Sequence, residues 1–185
     1  MNIQQNAIRT ADDFLRWNEG REGKREFVGG RIVEMMTGGT RRHAELTLQL
    51  AFLLKSKLDP TGFLVTVADF AVRTPFGVRY PDVMVTRREG DPSDLATDCS
   101  VLVAEILSPS SLAIDLSEKV EEYTAIPSLA HYLVLAQDEA RIWLWSRGGD
   151  GDFGKPEMIV GSEEAIPLPG LELELSLPEL YGGIA

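Results

Sequence analysis

Glu105 lies in the run LVAEILSP, an apolar stretch that reads as a buried strand carrying one carboxylate. An isolated ionised carboxylate is expensive to bury, so a partner or a metal is expected beside it. Asp82 closes the tripeptide YPD and is followed by apolar Val83, Met84 and Val85, which sets a second carboxylate at a strand start. In DLSEKVEEY, Asp115, Lys119 and Tyr123 recur every four residues and so share one face of a helix. Two carboxylates on neighbouring strands can hold a hard divalent cation such as Mg²⁺, which takes oxygen ligands and keeps several waters. Such an ion activates water and stabilises charge on a phosphodiester in the transition state. A nearby lysine would orient or deprotonate that water and neutralise developing phosphate charge.

Each residue also has a plainer reading. Asp82 suits a turn or a strand start. Asp115 and Lys119 suit an exposed i,i+4 pair, worth a few tenths of a kcal/mol. His43, early on a helix beside Arg41 and Arg42, suits solvation or capping. Glu26 suits a simple pairing with Lys24 or Arg25. Trp143 and Trp145, on one face of a strand, suit the core or a dimer contact better than a base-stacking platform.

The elements that would position these groups follow from local signals. Thr10 caps a short helix over TADDFLRWNE, with Phe14, Leu15 and Trp17 as its apolar stripe. REFVGGRIVEM reads as a hairpin turning at Gly29 and Gly30. Leu46, Leu50, Leu53 and Leu54 mark the longest helix, stopped by Asp59 and Pro60. GFLVTVADFAVRT reads as strand with a break near Ala68 and Asp69, and VRYPDVMVTRR as one further strand whose start Pro81 confines to an edge, an end or a bulge. VLVAEILS is a central strand, SSLAIDLSEKVEEYTAI a helix, and AHYLVLAQ and RIWLWSR strands around a turn at Asp138 and Glu139. One more alternating strand falls at residues 171–175. The order predicts a single mixed α/β or α+β domain over residues 1–185 with one main sheet.

The chain has 185 residues, enough for a substantial core, and one cysteine, Cys99, which suits a reducing compartment. Its start has no basic region followed by an apolar run, and no stretch is long enough to span a bilayer, so a cytoplasmic protein without a membrane partner is expected. The net charge of −11 counts against simple non-specific binding to nucleic acid but not against an enzyme that acts on it. Across residues 61–90 basic residues outnumber acidic ones.

The ordered set of motifs resembles the Uma-two family of restriction-endonuclease-like proteins, a bacterial branch of the PD-(D/E)XK nuclease superfamily. The resemblance runs over residues 25–145: REFVGGRIVEM, GGTRRHAEL, Pro81 with Asp82, EILSPSS, then Asp115, Lys119 and Tyr123, and HYLVL. It implies a restriction-endonuclease-like fold, a central mixed sheet flanked by helices, and a metal-dependent endonuclease acting on DNA. On that reading Asp82 and Glu105 ligate Mg²⁺ or Mn²⁺ and Lys119 is catalytic, with Glu26, His43, Asp115 and Tyr123 in support. A homodimer would allow both strands to be cut. The superfamily pattern expects lysine two residues after the second acid, where Leu107 stands; Lys119 on the neighbouring helix occupies the matching place. Arg25 and Phe27 replace the family's Tyr and Leu around Glu26, His131 stands where an acid is common, and Leu133 takes a Trp position. The alternative is a catalytically inactive nuclease-fold binding module or subunit of a mobile-element or restriction system. A hydrolase of another class is disfavoured, since no His-rich metal motif, Gly-x-Ser-x-Gly elbow or phosphate-binding glycine loop is present.

Overall fold

The computed structural model describes residues 8–35, 38–108, 112–161 and 164–183. The chain opens with α1 (Ala11–Asn18), the hairpin β1 (Lys24–Val28) and β2 (Arg31–Met35), and the long helix α2 (Arg41–Lys57). Strands β3 (Phe63–Val67), β4 (Ala71–Thr74), β5 (Gly77–Arg79), β6 (Val83–Arg87), β7 (Ala96–Thr97) and β8 (Ser100–Ile106) follow. Two short helices, α3 (Leu112–Asp115) and α4 (Glu118–Thr124), lead to β9 (His131–Leu135), β10 (Arg141–Ser146) and β11 (Glu157–Val160). The chain continues through the hairpin β12 (Ala165–Leu168) and β13 (Leu173–Ser176) to α5 (Leu177–Tyr181). No helix among the described residues is long and apolar enough to cross a membrane.

Local chemistry sets the two leading helices. Thr10 Oγ1 accepts the Asp13 N–H at 3.1 Å while the Asp13 carboxylate accepts the Thr10 N–H at 3.2 Å. This reciprocal cap satisfies two otherwise orphan donors. Thr40 Oγ1 likewise accepts the His43 N–H at 3.1 Å and starts α2. That helix buries Leu46, Leu50, Leu53 and Leu54 against the larger sheet.

The expected main sheet is accompanied by a second one. One is five-stranded, in the order β2-β1-β5-β4-β7; the other is six-stranded, β11-β10-β9-β8-β6-β3; β12 and β13 pair separately. The larger sheet is mixed, with β8 parallel to β9 and antiparallel to β6. The run expected as one strand, VRYPDVMVTRR, is β5 in the small sheet and β6 in the large one. Its partner stretch breaks in step, between β3 and β4, where Ala68 has φ 51° and donates its N–H to Pro81 O at 3.2 Å. Pro81 has no N–H to extend a ladder, so the chain changes sheets there. The expected second helix is also two pieces, because Ser117 leaves helical geometry at φ −136°, ψ −80°. The strand expected over residues 171–175 starts at Leu173, after a 3₁₀ turn at Pro169–Leu171.

Both faces of the larger sheet are covered. Ala104 and Ile106 pack with the α2 leucines, while Val103 packs with Tyr123, Ile126, Tyr132 and Trp145 on the other side. Trp145 is buried, its ring 5.4 Å from that of Tyr132, and Trp143 packs against the same cluster. The tryptophans thus belong to the core.

Candidate active site

Every residue of β8 is buried. Strand alternation turns Glu105 to the same face as Val103, toward α4. There Lys119 Nζ lies 2.8 Å from Glu105 Oε1, and Tyr123 OH donates to the same oxygen at 2.7 Å. Asp115 Oδ1 lies 2.9 Å from Lys119 Nζ, an ionic contact outside hydrogen-bond alignment. Tyr132 OH donates to the Asp115 carbonyl at 2.9 Å and ties the end of α3 to β9. Asp115 and Lys119 are therefore no surface pair: they are 1% and 3% exposed. The break between α3 and α4 does not part the three expected residues: Lys119 and Tyr123 reach Glu105, and Asp115 reaches Lys119.

Burial pushes the Glu105 carboxyl up to about 8, against the pull of Lys119 and with a further push from Asp82 and Asp115. Burial draws the Lys119 ammonium down, but Glu105, Asp115 and Glu26 outweigh it and hold it above the ordinary lysine value. The phenol of Tyr123 is raised by burial and by Glu105. This centre is short of positive charge.

Asp82 occupies the bend where the chain passes from β5 to β6. Its Oδ2 accepts the N–H of Ile106, the residue after Glu105, at 2.8 Å. The same oxygen lies 3.1 Å from His43 Nε2 on the first turn of α2. Asp82 is thereby fixed beside the strand that carries Glu105, and His43 has a partner rather than only solvent.

Glu26 is held in a second buried cluster. Its Oε2 lies 2.6 Å from Arg79 Nη1, and its Oε1 accepts the Tyr80 N–H at 3.2 Å. Arg79 also grips Glu122 of α4 with two bonds, Nε to Oε2 at 2.7 Å and Nη2 to Oε1 at 2.6 Å. Neither Lys24 nor Arg25 is its partner in this cluster. Sequence reasoning missed Arg79 and Glu122. The available signal was Arg79 itself, a charge in the mostly apolar run GVRYP, which poses the same question as Glu105.

Among the described residues no group of three or more His, Cys, Asp or Glu side chains forms a ready metal cage. Asp82 and Glu105 nevertheless supply two hard carboxylates on adjacent strands, next to the paired residues Val83 and Ala104. A small divalent cation that keeps waters in its shell needs no fuller set. The charge balance around Glu105 fits the same group: among the described residues Glu26, Asp82, Glu105, Asp115 and Glu122 pair with Arg79, Lys119 and the His43 imidazole.

Mixed sheets flanked by helices give the chain a restriction-endonuclease-like fold. A solved structure described as "a putative nuclease belonging to DUF820 from Anabaena variabilis" shares it, with a TM-score of 0.72 and 16% identity over 95% of this chain and 99% of that one. Two proteins of Synechocystis are related in sequence: "Uncharacterized protein slr1290" is 28% identical, covering 94% of this chain and 92% of its own. "Uncharacterized protein sll1609" is 31% identical, covering 86% and 92%. The family model Uma2, "Putative restriction endonuclease", matches residues 11–179, and the chain belongs to that family.

Proposed function

We propose that this protein is a metal-dependent DNA endonuclease that hydrolyses phosphodiester bonds at a centre formed by Asp82, Glu105 and Lys119. The observation that carries the reading is their convergence: Lys119 Nζ lies 2.8 Å from Glu105, and Asp82 accepts the N–H of the residue after Glu105. Family membership supports it. Asp82 and Glu105 would hold Mg²⁺ or Mn²⁺. Bound there, the ion supplies Lewis acidity and a water of lowered pKa. Lys119, held charged between Glu105 and Asp115, provides a fixed positive charge for the phosphate oxygens as negative charge develops on them. Tyr123 fixes the Glu105 carboxylate by donating to it, and His43 orients Asp82. Cleavage of supercoiled plasmid with Mg²⁺ or Mn²⁺ tests the reading. Glu105→Ala should lose at least about 10²-fold in rate; equal rates in wild type and variant reject it.

One observation favours the other reading, a non-catalytic module of the same fold: Lys119 is 3% exposed and already satisfied by two acids. Titration calorimetry separates the two. Heat of Mn²⁺ binding that vanishes in Asp82→Ala supports the enzyme, and no heat at millimolar Mn²⁺ supports the module.

A further inference from the structure

We propose that Arg79 is a positioning residue: by occupying Glu26 and Glu122 it reserves Lys119 for Glu105. The inference rests on the nuclease reading for its consequence in catalysis, but its geometry stands apart from it. Arg79 is 4% exposed and bridges three elements: β5, which carries it, β1 through Glu26, and α4 through the two-pronged grip on Glu122. Glu122 sits between Lys119 and Tyr123 on α4. One short helix is thus anchored at two points, to the small sheet by Glu122 and to β8 by Lys119 and Tyr123.

Glu122 lies three residues after Lys119 on α4, and Arg79 holds Glu122 and Glu26 together. With Arg79 absent, Glu26 and Glu122 become buried carboxylates without that counter-charge, and Lys119, the buried cation on the same helix as Glu122, is the one that Glu105 uses. Arg79 suits the task because its planar fork meets one carboxylate with two bonds and still reaches a second. Lysine is a point charge and cannot do both.

The test compares wild type, Arg79→Met, Arg79→Lys and the triple variant Glu26→Leu/Arg79→Met/Glu122→Leu, which removes the competing acids with the cation. Wholesale apolar replacement of a buried ionic triad is commonly tolerated by the fold, so the triple variant keeps the test open where Arg79→Met fails to fold. Three quantities are read: single-turnover cleavage at saturating DNA with Mn²⁺, metal-free DNA affinity by anisotropy, and the NMR resonance of the Lys119 ζ-ammonium, assigned with Lys119→Arg. Arg79→Met should slow cleavage about 10-fold or more with DNA affinity within about three-fold of wild type. Arg79→Lys should fall between the two. The triple variant should return the Lys119 resonance toward its wild-type position. A merely structural clamp predicts instead that rate follows melting temperature and that the resonance stays put. An unmoved Lys119 resonance in Arg79→Met, or a triple variant that melts like wild type yet leaves that resonance displaced, overturns the inference. A silent wild type overturns the nuclease reading, and the Lys119 resonance still decides the clamp.

Discussion

Glu105 and His131 stand on adjacent strands, and each must lose or balance a charge in the interior. Glu105 does so with Lys119 and the Tyr123 hydroxyl. Among the described residues no ion pair joins His131 to an acid. Gly170 donates its N–H to His131 Nε2 at 3.0 Å, so that nitrogen carries no proton, and Nδ1, 3.0 Å from Ser146 Oγ, is the donor. The ring is therefore neutral, and burial pulls its pKa from 6.5 to about 4. The unfolded chain takes up that proton more readily than the folded one. The stability linked to His131 is thus fully present above about pH 6.5 and is lost as pH falls toward 4. It should amount to about 2–3 kcal/mol. Melting wild type and His131→Gln from pH 7 to pH 4 isolates it from the carboxylates, because only the wild type should show this component; parallel curves would rule it out.

At the level of elements, the sheet-switching pair β3–β4 and β5–β6 sets the site, since its crossing point leaves Asp82 beside β8 and Arg79 facing α4. The small-sheet half depends on Gly77, which pairs with Val28. A Cβ there would sit 1.7 Å from Phe27 O, and its φ is 153°. Gly77→Ala should detach β5 from β1, costing about 2–4 kcal/mol and lowering the melting temperature by about 5–15 °C. Faster hydrogen exchange at Phe27 and Val28 would locate the loss, and a melt within about 1 °C of wild type would refute the argument. Elements with local signals were legible in the sequence: the cap at Thr10, the Gly29 and Gly30 turn, the Asp59 and Pro60 stop. The apolar run around Glu105 was likewise enough to make β8 central. The division into two sheets was not, because each half of VRYPDVMVTRR takes its partner from far along the chain: Val78 pairs with Phe27 and Val83 with Ala104. The site divides in the same way. Glu105 stood out because carboxylates are rare in such a strand, and Lys119 and Tyr123 followed from helical spacing. Glu122 looks like any surface glutamate in EKVEEY, and only packing against β5 distinguishes it.

For the whole molecule, the acids gathered where the two sheets meet hold negative charge in a chain already at −11. The Arg79 cluster joins β1 and β5 of the small sheet to α4, which packs on the large one, so strain from unbalanced charge there is felt by both. A divalent cation at Asp82 and Glu105 would relieve it in the folded state alone, because the unfolded chain does not bring the two carboxylates together. Binding restricted to the folded state at metal concentrations of 100 times Kd adds about 2.7 kcal/mol. For a protein of this size that corresponds to a rise in melting temperature of about 5–10 °C. Mn²⁺ should therefore raise the melt of wild type, EDTA should reverse it, and Asp82→Ala should abolish the shift, with other divalent contacts on the acidic surface giving only a small common background. Identical melts in EDTA and in 10 mM Mn²⁺ would show that the charge deficit at Glu105 is balanced without metal, and that Lys119 with a proton shared at Glu105 is the whole of the answer.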